Sequence, residues 1–205
     1  MRACLISDVH GNLHALEAVL AAVAQEAPDE IWCLGDLTGY GPQPSPCCSR
    51  VRERATLSLV GNHDLGVLGQ LDLDDFSPDA AASARWTRSV LAPAERSWLE
   101  SLAPCAERDG VGLYHASPRD PVWEYVLSSE IAEASLFAAP EPLVLVGHSH
   151  VALAFARHDE RLSGGVALDG TELDLASADR WLLNPGSVGQ PRDGDPRAAY
   201  VVLDL

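Results

Sequence analysis

Short polar motifs that follow apolar runs are the parts of this chain best suited to chemistry. Asp8 and His10 stand two residues apart behind the first run, and His148 and His150 repeat that spacing far along the chain. In extended backbone, residues i and i+2 point to the same side, so each pair can offer two side chains to one ion. Gly147 removes bulk where the second motif must turn. Both pairs are therefore predicted to be metal ligands.

Three further polar residues extend this set, each behind an apolar run. They are Asp36 after Gly35, Asn62 within Gly61-Asn62-His63-Asp64, and His115 after Tyr114. The seven donors are nitrogen or oxygen, which suits Mn²⁺, Fe²⁺ or Zn²⁺ better than thiolate chemistry or an all-oxygen calcium cage. Seven ligands exceed one ordinary transition-metal site and fit two ions that share a carboxylate. The sequence therefore predicts a binuclear centre.

Such a centre points to phosphoester hydrolysis. Two ions roughly 3.5–4 Å apart clamp the attacking and leaving oxygens of a phosphoryl transfer and lower the pKa of bound water toward ~7. A metal-bridging hydroxide is then the expected nucleophile. The chain contains no Gly-x-Ser-x-Gly elbow and no P-loop that would favour another mechanism.

The charge of the chain limits its partners. Thirty acidic residues against 14 basic ones give a formal charge of −16, which repels a nucleic acid backbone. Long nucleic acid, and hence nuclease action, is disfavoured. The negative field would favour uptake of divalent cations, although solubility alone is an adequate explanation of the charge.

Length and hydropathy predict one cytoplasmic domain over residues 1–205. No apolar run approaches the ~18 residues of a membrane span, and the first run is too short for a signal peptide. The five cysteines include no Cys-x-x-Cys pair, so buried reduced thiols are expected.

The hydrophobic pattern predicts an α/β fold. Apolar strands at 2–7, 31–34 and 56–60 alternate with helices, which favours a sheet buried on both faces. Residues 65–102 read as a helical insertion that could be a lid, a dimer surface or both, so a homo-oligomer stays open. Further strands are predicted at 111–115, 122–126, 143–147, 151–157, 161–168, 180–183 and 198–204, with one helix near 128–139.

The chain resembles the calcineurin-like metallophosphoesterase family in five motifs: Asp8-Val9-His10-Gly11-Asn12, Gly35-Asp36, Gly61-Asn62-His63-Asp64, His115 and Gly147-His148-Ser149-His150. Residues 184–192 resemble the C-terminal block of its small bacterial and archaeal phosphodiesterase branch. The resemblance implies a four-layer αββα sandwich, two mixed β-sheets flanked by helices. It also implies one ion on Asp8, His10 and His150, a second on Asn62, His115 and His148, and Asp36 as the bridge, with manganese favoured for activity.

The resemblance gives His63 a catalytic role. The family does not use this histidine as a ligand; it contacts the phosphate or protonates the leaving oxygen, for which a pKa near neutrality is suited. Asp64 either orients the His63 imidazole or is a structural carboxylate at the start of the next helix.

One motif departs from the phosphatase pattern. Protein serine/threonine phosphatases and dinucleoside tetraphosphatases carry Gly-Asp-x-x-Asp-Arg-Gly, whereas residues 35–41 read Gly-Asp-Leu-Thr-Gly-Tyr-Gly. The arginine that would grip a phosphomonoester is missing, which favours small phosphodiester substrates. Tyr40, with Trp123, is a candidate stacking wall or a packing residue, and Arg192 either reaches a phosphate oxygen or forms a surface salt bridge. His14 and His158 are assigned to structure or surface.

The sequence thus predicts a binuclear metal-dependent phosphodiesterase. The alternatives are a non-catalytic metal-binding scaffold on the same fold, a phosphomonoesterase and a nuclease. The scaffold is disfavoured because every expected ligand position is filled.

Overall fold

Two β-sheets packed face to face form the centre of the protein in a computed structural model that describes residues 1–205. The ten strands are β1 (Arg2–Ile6), β2 (Glu30–Cys33), β3 (Leu57–Ser58), β4 (Cys105–Arg108), β5 (Val111–Tyr114), β6 (Leu143–Val146), β7 (Ala152–His158), β8 (Arg161–Val166), β9 (Arg180–Pro185) and β10 (Val201–Asp204). The first sheet has the order β10-β1-β2-β3, and the second has the order β4-β5-β6-β9-β7-β8.

Both sheets are mixed, with parallel strands at their centres. In the first sheet β1, β2 and β3 run parallel while β10 pairs antiparallel with β1. In the second sheet β5, β6 and β9 run parallel, and β4, β7 and β8 add antiparallel edges. The carboxyl ends of parallel strands face one edge of a sheet, so polar residues that follow them can meet.

Helices cover the outer faces of the two sheets. They are α1 (Leu13–Gln25), α2 (Pro44–Arg54), α3 (Asn62–Leu68), α4 (Pro78–Val90), α5 (Pro93–Leu99) and α6 (Ser129–Ala138). Asn12 begins α1 by accepting the Ala15 N–H at 3.1 Å, and Ser128 begins α6 in the same way. Only α6 lies on the second sheet, where Ala132 and Leu136 pack against its strands.

The alternation of side chains along β1 shows why the strands are apolar throughout. Ala3 and Leu5 point between the sheets, where they pack with second-sheet residues such as Leu145. Cys4 and Ile6 point the other way and pack against the helices. Both faces of the strand are therefore buried, which confirms the predicted αββα order of layers.

Two strand predictions differ from the structure. Residues 122–126 are predicted to form a strand, but 122–123 form a turn and 124–126 are irregular, because the Asp120 side chain accepts the N–H groups of Val122 and Trp123 at 3.0 and 3.1 Å. This local hydrogen bonding outweighs the β-type composition of the segment. Strand β4 is not predicted by the hydrophobic pattern, because it is a mostly exposed edge strand of mixed composition.

The helical region 65–102 is present, and its helices α4 and α5 pack against α3, which begins at the Gly61 motif. Arg88 on α4 donates hydrogen bonds to the carbonyl groups of Gly66 and Val67 near the end of α3. Ser83 on the same helix accepts the backbone N–H of Tyr40. The region therefore braces two segments that carry predicted site residues.

The remaining histidines and the cysteines lie outside the predicted metal centre. His14 and His158 are exposed, as expected. Four cysteines are buried, whereas Cys105 on β4 is exposed. None of the helices combines the length and the apolar character needed to cross a membrane.

Candidate metal centre

The predicted ligands converge where the parallel strands of both sheets end. Each follows a strand or begins the helix behind one: Asp8 after β1, Asp36 after β2, Asn62 at the start of α3, His115 after β5, and His148 and His150 after β6. All of these side chains are buried. The fold thus brings all seven sequence-predicted ligands into one region between the two sheets.

Five of these positions have a backbone conformation that L-residues seldom adopt. The φ angles of Asp8, His10, Asp36, His148 and His150 lie between 48° and 62°, and they are five of the nine non-glycine residues with positive φ. Backbone hydrogen bonds hold the turns, including His10 N–H to the Asp36 carbonyl at 2.9 Å. Strain of this kind costs on the order of 1–3 kcal/mol per residue and clusters at functional sites.

The first group of donors consists of Asp8, His10, Asp36 and His150, whose ligand atoms all lie within 4.8 Å of one another. Nε2 of His150 is 3.4 Å from Oδ1 of Asp8. Nε2 of His10 lies 2.9 Å from Nε2 of His150 and 3.6 Å from Oδ2 of Asp36. These distances place four side chains around a volume suited to one ion.

Asp36, His115 and His148 form the second group. Oδ2 of Asp36 is 3.6 Å from Nε2 of His115, the same distance as from Nε2 of His10 in the first group. Oδ1 of Asn62 lies 3.3 Å from Nε2 of His115 and adds a neutral donor. One oxygen of Asp36 is therefore equally distant from two imidazole nitrogens of different groups, as a bridging ligand would be.

Backbone carbonyl groups set which imidazole nitrogen each histidine turns inward. Nδ1 of His10 donates to the Thr38 carbonyl at 2.9 Å, and Nδ1 of His115 donates to the Leu34 carbonyl at 2.9 Å. Nδ1 of His150 contacts the Gln190 carbonyl at 2.6 Å. Each bond holds the proton on the outer nitrogen and leaves the Nε2 lone pair facing the centre.

His148 is oriented the opposite way. Its Nε2 lies 3.3 Å from the carbonyl oxygen of Trp123, and the ring of Tyr125 stacks on it at 3.9 Å between centroids. Nδ1 is consequently the nitrogen available to an ion. The segment 117–127 therefore fixes this histidine, although no residue-type pattern in the sequence indicated it.

The site contains contacts that a cation would relieve. Oδ1 of Asp8 and Oδ2 of Asp36 are buried and have no hydrogen-bond partner. The two Nε2 atoms of His10 and His150 are both lone-pair acceptors, yet they are 2.9 Å apart. Buried oxygens and facing lone pairs of this kind are unfavourable without a positive charge between them. The residues present therefore fit a pair of divalent ions.

Burial keeps the imidazoles neutral. It lowers the pKa of His148 to about 2 and that of His150 to about 4, and it lowers the pKa of His10 and His115 as well. Neutral imidazole is the form that binds a metal ion. The four histidines are therefore ready to bind near pH 7 without releasing a proton.

Burial has the opposite effect on the carboxyl groups. It raises the pKa of Asp8 to about 6 and raises the pKa of Asp36 well above its ordinary value. A bound cation would favour the ionised forms and reverse both shifts.

His63 lies beside both groups but belongs to neither. Its backbone N–H donates to Oδ1 of Asp36 at 2.9 Å, and its ring contacts those of Tyr40 and His10 at centroid distances of 4.6 and 4.9 Å. Nδ1 is buried without a partner. Burial, followed by the charges of His115 and His150, lowers the pKa of His63 to about 3. The pKa is therefore lower than the near-neutral value expected from the sequence, and the imidazole is neutral at pH 7.

Asp64 is a structural carboxylate and does not orient the His63 imidazole. Its carboxylate accepts the N–H groups of Leu37, Thr38 and Gly61 at 3.2, 2.9 and 3.1 Å, and the Thr38 hydroxyl at 2.7 Å. It makes no hydrogen bond to the His63 ring. Asp64 therefore ties the loop that carries Asp36 to the start of α3.

Replacement of Asp64 by alanine is expected to lower the free energy of unfolding of the metal-free protein by about 3–5 kcal/mol, because it removes four buried hydrogen bonds to a charged group. Thr38→Val removes only the hydroxyl bond and is expected to cost about 1–2 kcal/mol. Urea unfolding measures both, and Asp75→Ala at an exposed position is the control. A loss below about 1 kcal/mol for Asp64→Ala would contradict the structural role.

Tyr40 and Arg192 lie together at the edge of the first group. The ring of Tyr40 packs against His10 at 4.9 Å, and the Arg192 guanidinium carbon is 5.9 Å from the centroid of the Tyr40 ring. Arg192 donates to Oε1 of Gln190 at 2.7 Å and forms no salt bridge. The surface salt bridge considered from the sequence is thus absent.

Trp123 does not face Tyr40 directly. Its ring packs against Phe76 at 5.0 Å, and Phe76 packs against His63 at 5.5 Å. Four aromatic rings therefore form one continuous arc beside the centre, from Tyr40 through His63 and Phe76 to Trp123. Phe76, alone in an acidic stretch, was missed by the sequence reasoning.

Comparison with known proteins identifies the family. Residues 1–205 match a model of the calcineurin-like phosphoesterase superfamily domain. The crystal structure of a metallophosphoesterase from Sphaerobacter thermophilus is 44% identical, with a TM-score of 0.87 over 99% of this chain and 83% of that one.

Two proteins of similar sequence extend the comparison. An uncharacterized protein of Methanocaldococcus jannaschii is 38% identical over 205 residues, which span 98% of this chain and 81% of the relative. A symmetrical bis(5'-nucleosyl)-tetraphosphatase of Actinobacillus pleuropneumoniae is 28% identical over 144 residues, 66% of this chain and 53% of the relative. Because the family model matches all of residues 1–205, and the two sheets enclose the buried Asp and His clusters, the chain belongs to the calcineurin-like phosphoesterase superfamily.

Proposed function

We propose that this protein is a binuclear metal-dependent phosphodiesterase that hydrolyses small phosphodiesters. Asp8, His10 and His150 would hold one ion, and Asn62, His115 and His148 the other. The observation that carries the proposal is the position of Asp36, whose Oδ2 is 3.6 Å from an imidazole nitrogen of each group and has no partner of its own. Because every donor atom is nitrogen or oxygen, the site suits Mn²⁺, Fe²⁺ or Zn²⁺. Manganese is our first choice for activity.

Two bound ions would polarise the phosphoryl group and supply an activated water. The side chains of this protein would do the rest. Oδ2 of Asp36 would keep its place between His10 and His115, while Oδ1 accepts the backbone N–H of His63 and so fixes that residue. The His63 ring, whose Nδ1 has no hydrogen-bond partner, would donate an N–H hydrogen bond to the leaving oxygen. Full transfer of a proton to that oxygen requires the imidazolium form, which the negative charge of a bound phosphodiester favours.

The loop after Asp36 favours diesters over monoesters. Where phosphatases of the family carry an arginine, this loop carries Tyr40, which has no charge to grip a phosphomonoester dianion. Thr38 in the same loop is committed to Asp64 and His10. Arg192 lies 5.9 Å from the centroid of the Tyr40 ring and offers one positive charge, which matches the single negative charge of a phosphodiester.

Hydrolysis of a dinucleoside polyphosphate is the second candidate. The similarity to symmetrical bis(5'-nucleosyl)-tetraphosphatases favours it. Against it, this chain lacks the arginine of the Gly-Asp-x-x-Asp-Arg-Gly motif. We therefore place it behind simple diesters.

The function is tested by stripping the protein with a chelator and restoring Mn²⁺, Fe²⁺ or Zn²⁺ separately. We expect hydrolysis of bis(p-nitrophenyl) phosphate that is lost on chelation, returns with metal, and exceeds hydrolysis of p-nitrophenyl phosphate at least tenfold in kcat/KM. A faster reaction with the monoester would identify a phosphatase, and cleavage of diadenosine tetraphosphate in preference to both would favour the second candidate. Metal binding without turnover of any ester would identify a scaffold.

A further inference from the structure

We infer that one ester group of the substrate is a nucleoside, and that its base binds against Tyr40 in a cavity beside His10. This inference rests on the proposed function, because it names the class of diester that the same centre would hydrolyse. It concerns a part of the molecule that the metal ligands do not require.

A cavity of about 340 Å³ opens directly beside the first group of donors, with His10, Tyr40, Pro42, Gly189 and Gln190 in its wall. Its volume lies in the lower part of the ~300–1,000 Å³ range of small-molecule sites. Gln190 connects it to the centre, because its carbonyl accepts from His150. We call it the Tyr40 cavity.

Tyr40 is held in place at a conformational cost. Its φ is 53°, in the left-handed region that bulky residues avoid. Its N–H donates to the Ser83 hydroxyl on α4, and the next N–H, of Gly41, donates to the His10 carbonyl at 2.9 Å. A Cβ at Gly41 would lie 2.3 Å from that carbonyl oxygen, so the loop needs glycine there. An aromatic ring kept half-buried in a strained, braced loop indicates a function beyond packing.

The polar groups in the cavity wall, and Arg192 beside it, suit a nucleotide. Arg192 is exposed, lies near the Tyr40 ring and has no carboxylate partner, although acidic residues outnumber basic ones by 30 to 14. The Gln190 side chain uses its oxygen on Arg192, which leaves the amide N–H groups free to donate to the edge of a base. A π-face, one cation and an amide donor together match a base attached to a single phosphate.

Charge disfavours other occupants. A polyphosphate chain would need several cations, and Arg192 is the single one in contact with Tyr40. A small alkyl ester group would leave the Gln190 amide donors without partners and could not stack on the Tyr40 ring. The nucleoside is the group that uses all three features.

The test compares two diesters with the same leaving group, thymidine 5'-(p-nitrophenyl phosphate) and methyl p-nitrophenyl phosphate, on the manganese-loaded enzyme. We expect kcat/KM to be roughly ten- to hundredfold higher for the thymidine ester, the range that base–aromatic stacking supports. Tyr40→Ala should bring this ratio close to one, mainly through KM, and Tyr40→Phe should preserve it. The matched control is Phe137→Ala, an exposed aromatic on α6, which should leave the ratio unchanged.

A second variant and a second measurement protect the test against misfolding at the strained position. Gln190→Leu keeps the backbone carbonyl that holds His150 and should lower the ratio several-fold. Calorimetric binding of thymidine 5'-monophosphate and of methyl phosphate to the same variants should show the same dependence on residues 40 and 190.

The outcomes separate this inference from the proposed function. Equal kcat/KM for the two esters in the wild type, or a ratio that Tyr40→Ala and Gln190→Leu leave intact, would overturn the nucleoside cavity while the phosphodiesterase stands. Tyr40-dependent binding of the nucleotide without hydrolysis of either ester would support the cavity and reject the phosphodiesterase.

Discussion

Asp36→Asn is expected to lower kcat on a diester by a factor on the order of 10³ or more, and to reduce the metal content from two ions per chain to one or none. Loss of the shared oxygen removes several kcal/mol of electrostatic stabilisation from the transition state. In place of an anionic oxygen 3.6 Å from both His10 and His115, the amide presents a neutral oxygen or an NH₂ group. Neither can bridge two cations as a carboxylate does.

The protein should fold normally with this change. The amide oxygen can still accept the His63 N–H that Oδ1 of Asp36 accepts at 2.9 Å. Because burial disfavours the charged form of Asp36, a neutral amide is no worse in the metal-free state. Elemental analysis and turnover are measured after dialysis against manganese, with Asp193→Asn at an exposed position as the control. Two retained ions together with full activity would refute the bridge.

His63→Ala is expected to lower kcat by ~10²–10⁴-fold while two ions stay bound. The ring of His63 is in neither group of donors, and the alanine variant keeps the backbone N–H that supports Asp36. Metal binding and catalysis should therefore separate at this residue. The adjacent variant Asn62→Ala should instead weaken binding of the second ion.

Leaving-group dependence distinguishes a proton donor from a phosphate contact. If His63 donates to the leaving oxygen, the defect should be larger for a diester that releases an alcohol than for one that releases p-nitrophenolate. His14→Ala, an exposed histidine on α1, is the control for both measurements. Loss of an ion from His63→Ala would make His63 a ligand, and an equal defect for both leaving groups would assign it to phosphate binding.

Much of the fold and of the centre could be predicted because the deciding features are local. Strands that are apolar at every position, such as β1, have to be buried on both faces, and Ala3 and Cys4 point to different cores. The polar motifs sit directly behind such strands. Once the strands are parallel, their ends converge, and the seven donors meet.

The other features of the centre depend on backbone groups and on tertiary packing, which residue types do not reveal. The choice of Nδ1 on His148 follows from the Trp123 carbonyl, and a backbone carbonyl is present at every residue. The low pKa of His63 results from burial by segments distant in the sequence, including Tyr40 and Phe76. The turn at 122–123 was missed because one side chain, Asp120, decides against a strand that the composition favours.

Each of the two donor groups contains residues from loops of both sheets, so ion binding and stability are connected. Asp8, His10 and Asn62 come from loops of the first sheet, whereas His115, His148 and His150 come from loops of the second. Each bound ion would therefore cross-link one sheet to the other, and ion affinity and the docking of the sheets would be thermodynamically linked. A substitution deep between the sheets, such as Trp32→Ala, would weaken ion binding at a centre that it does not touch. Metal loading would in turn protect the interface between the sheets from local opening.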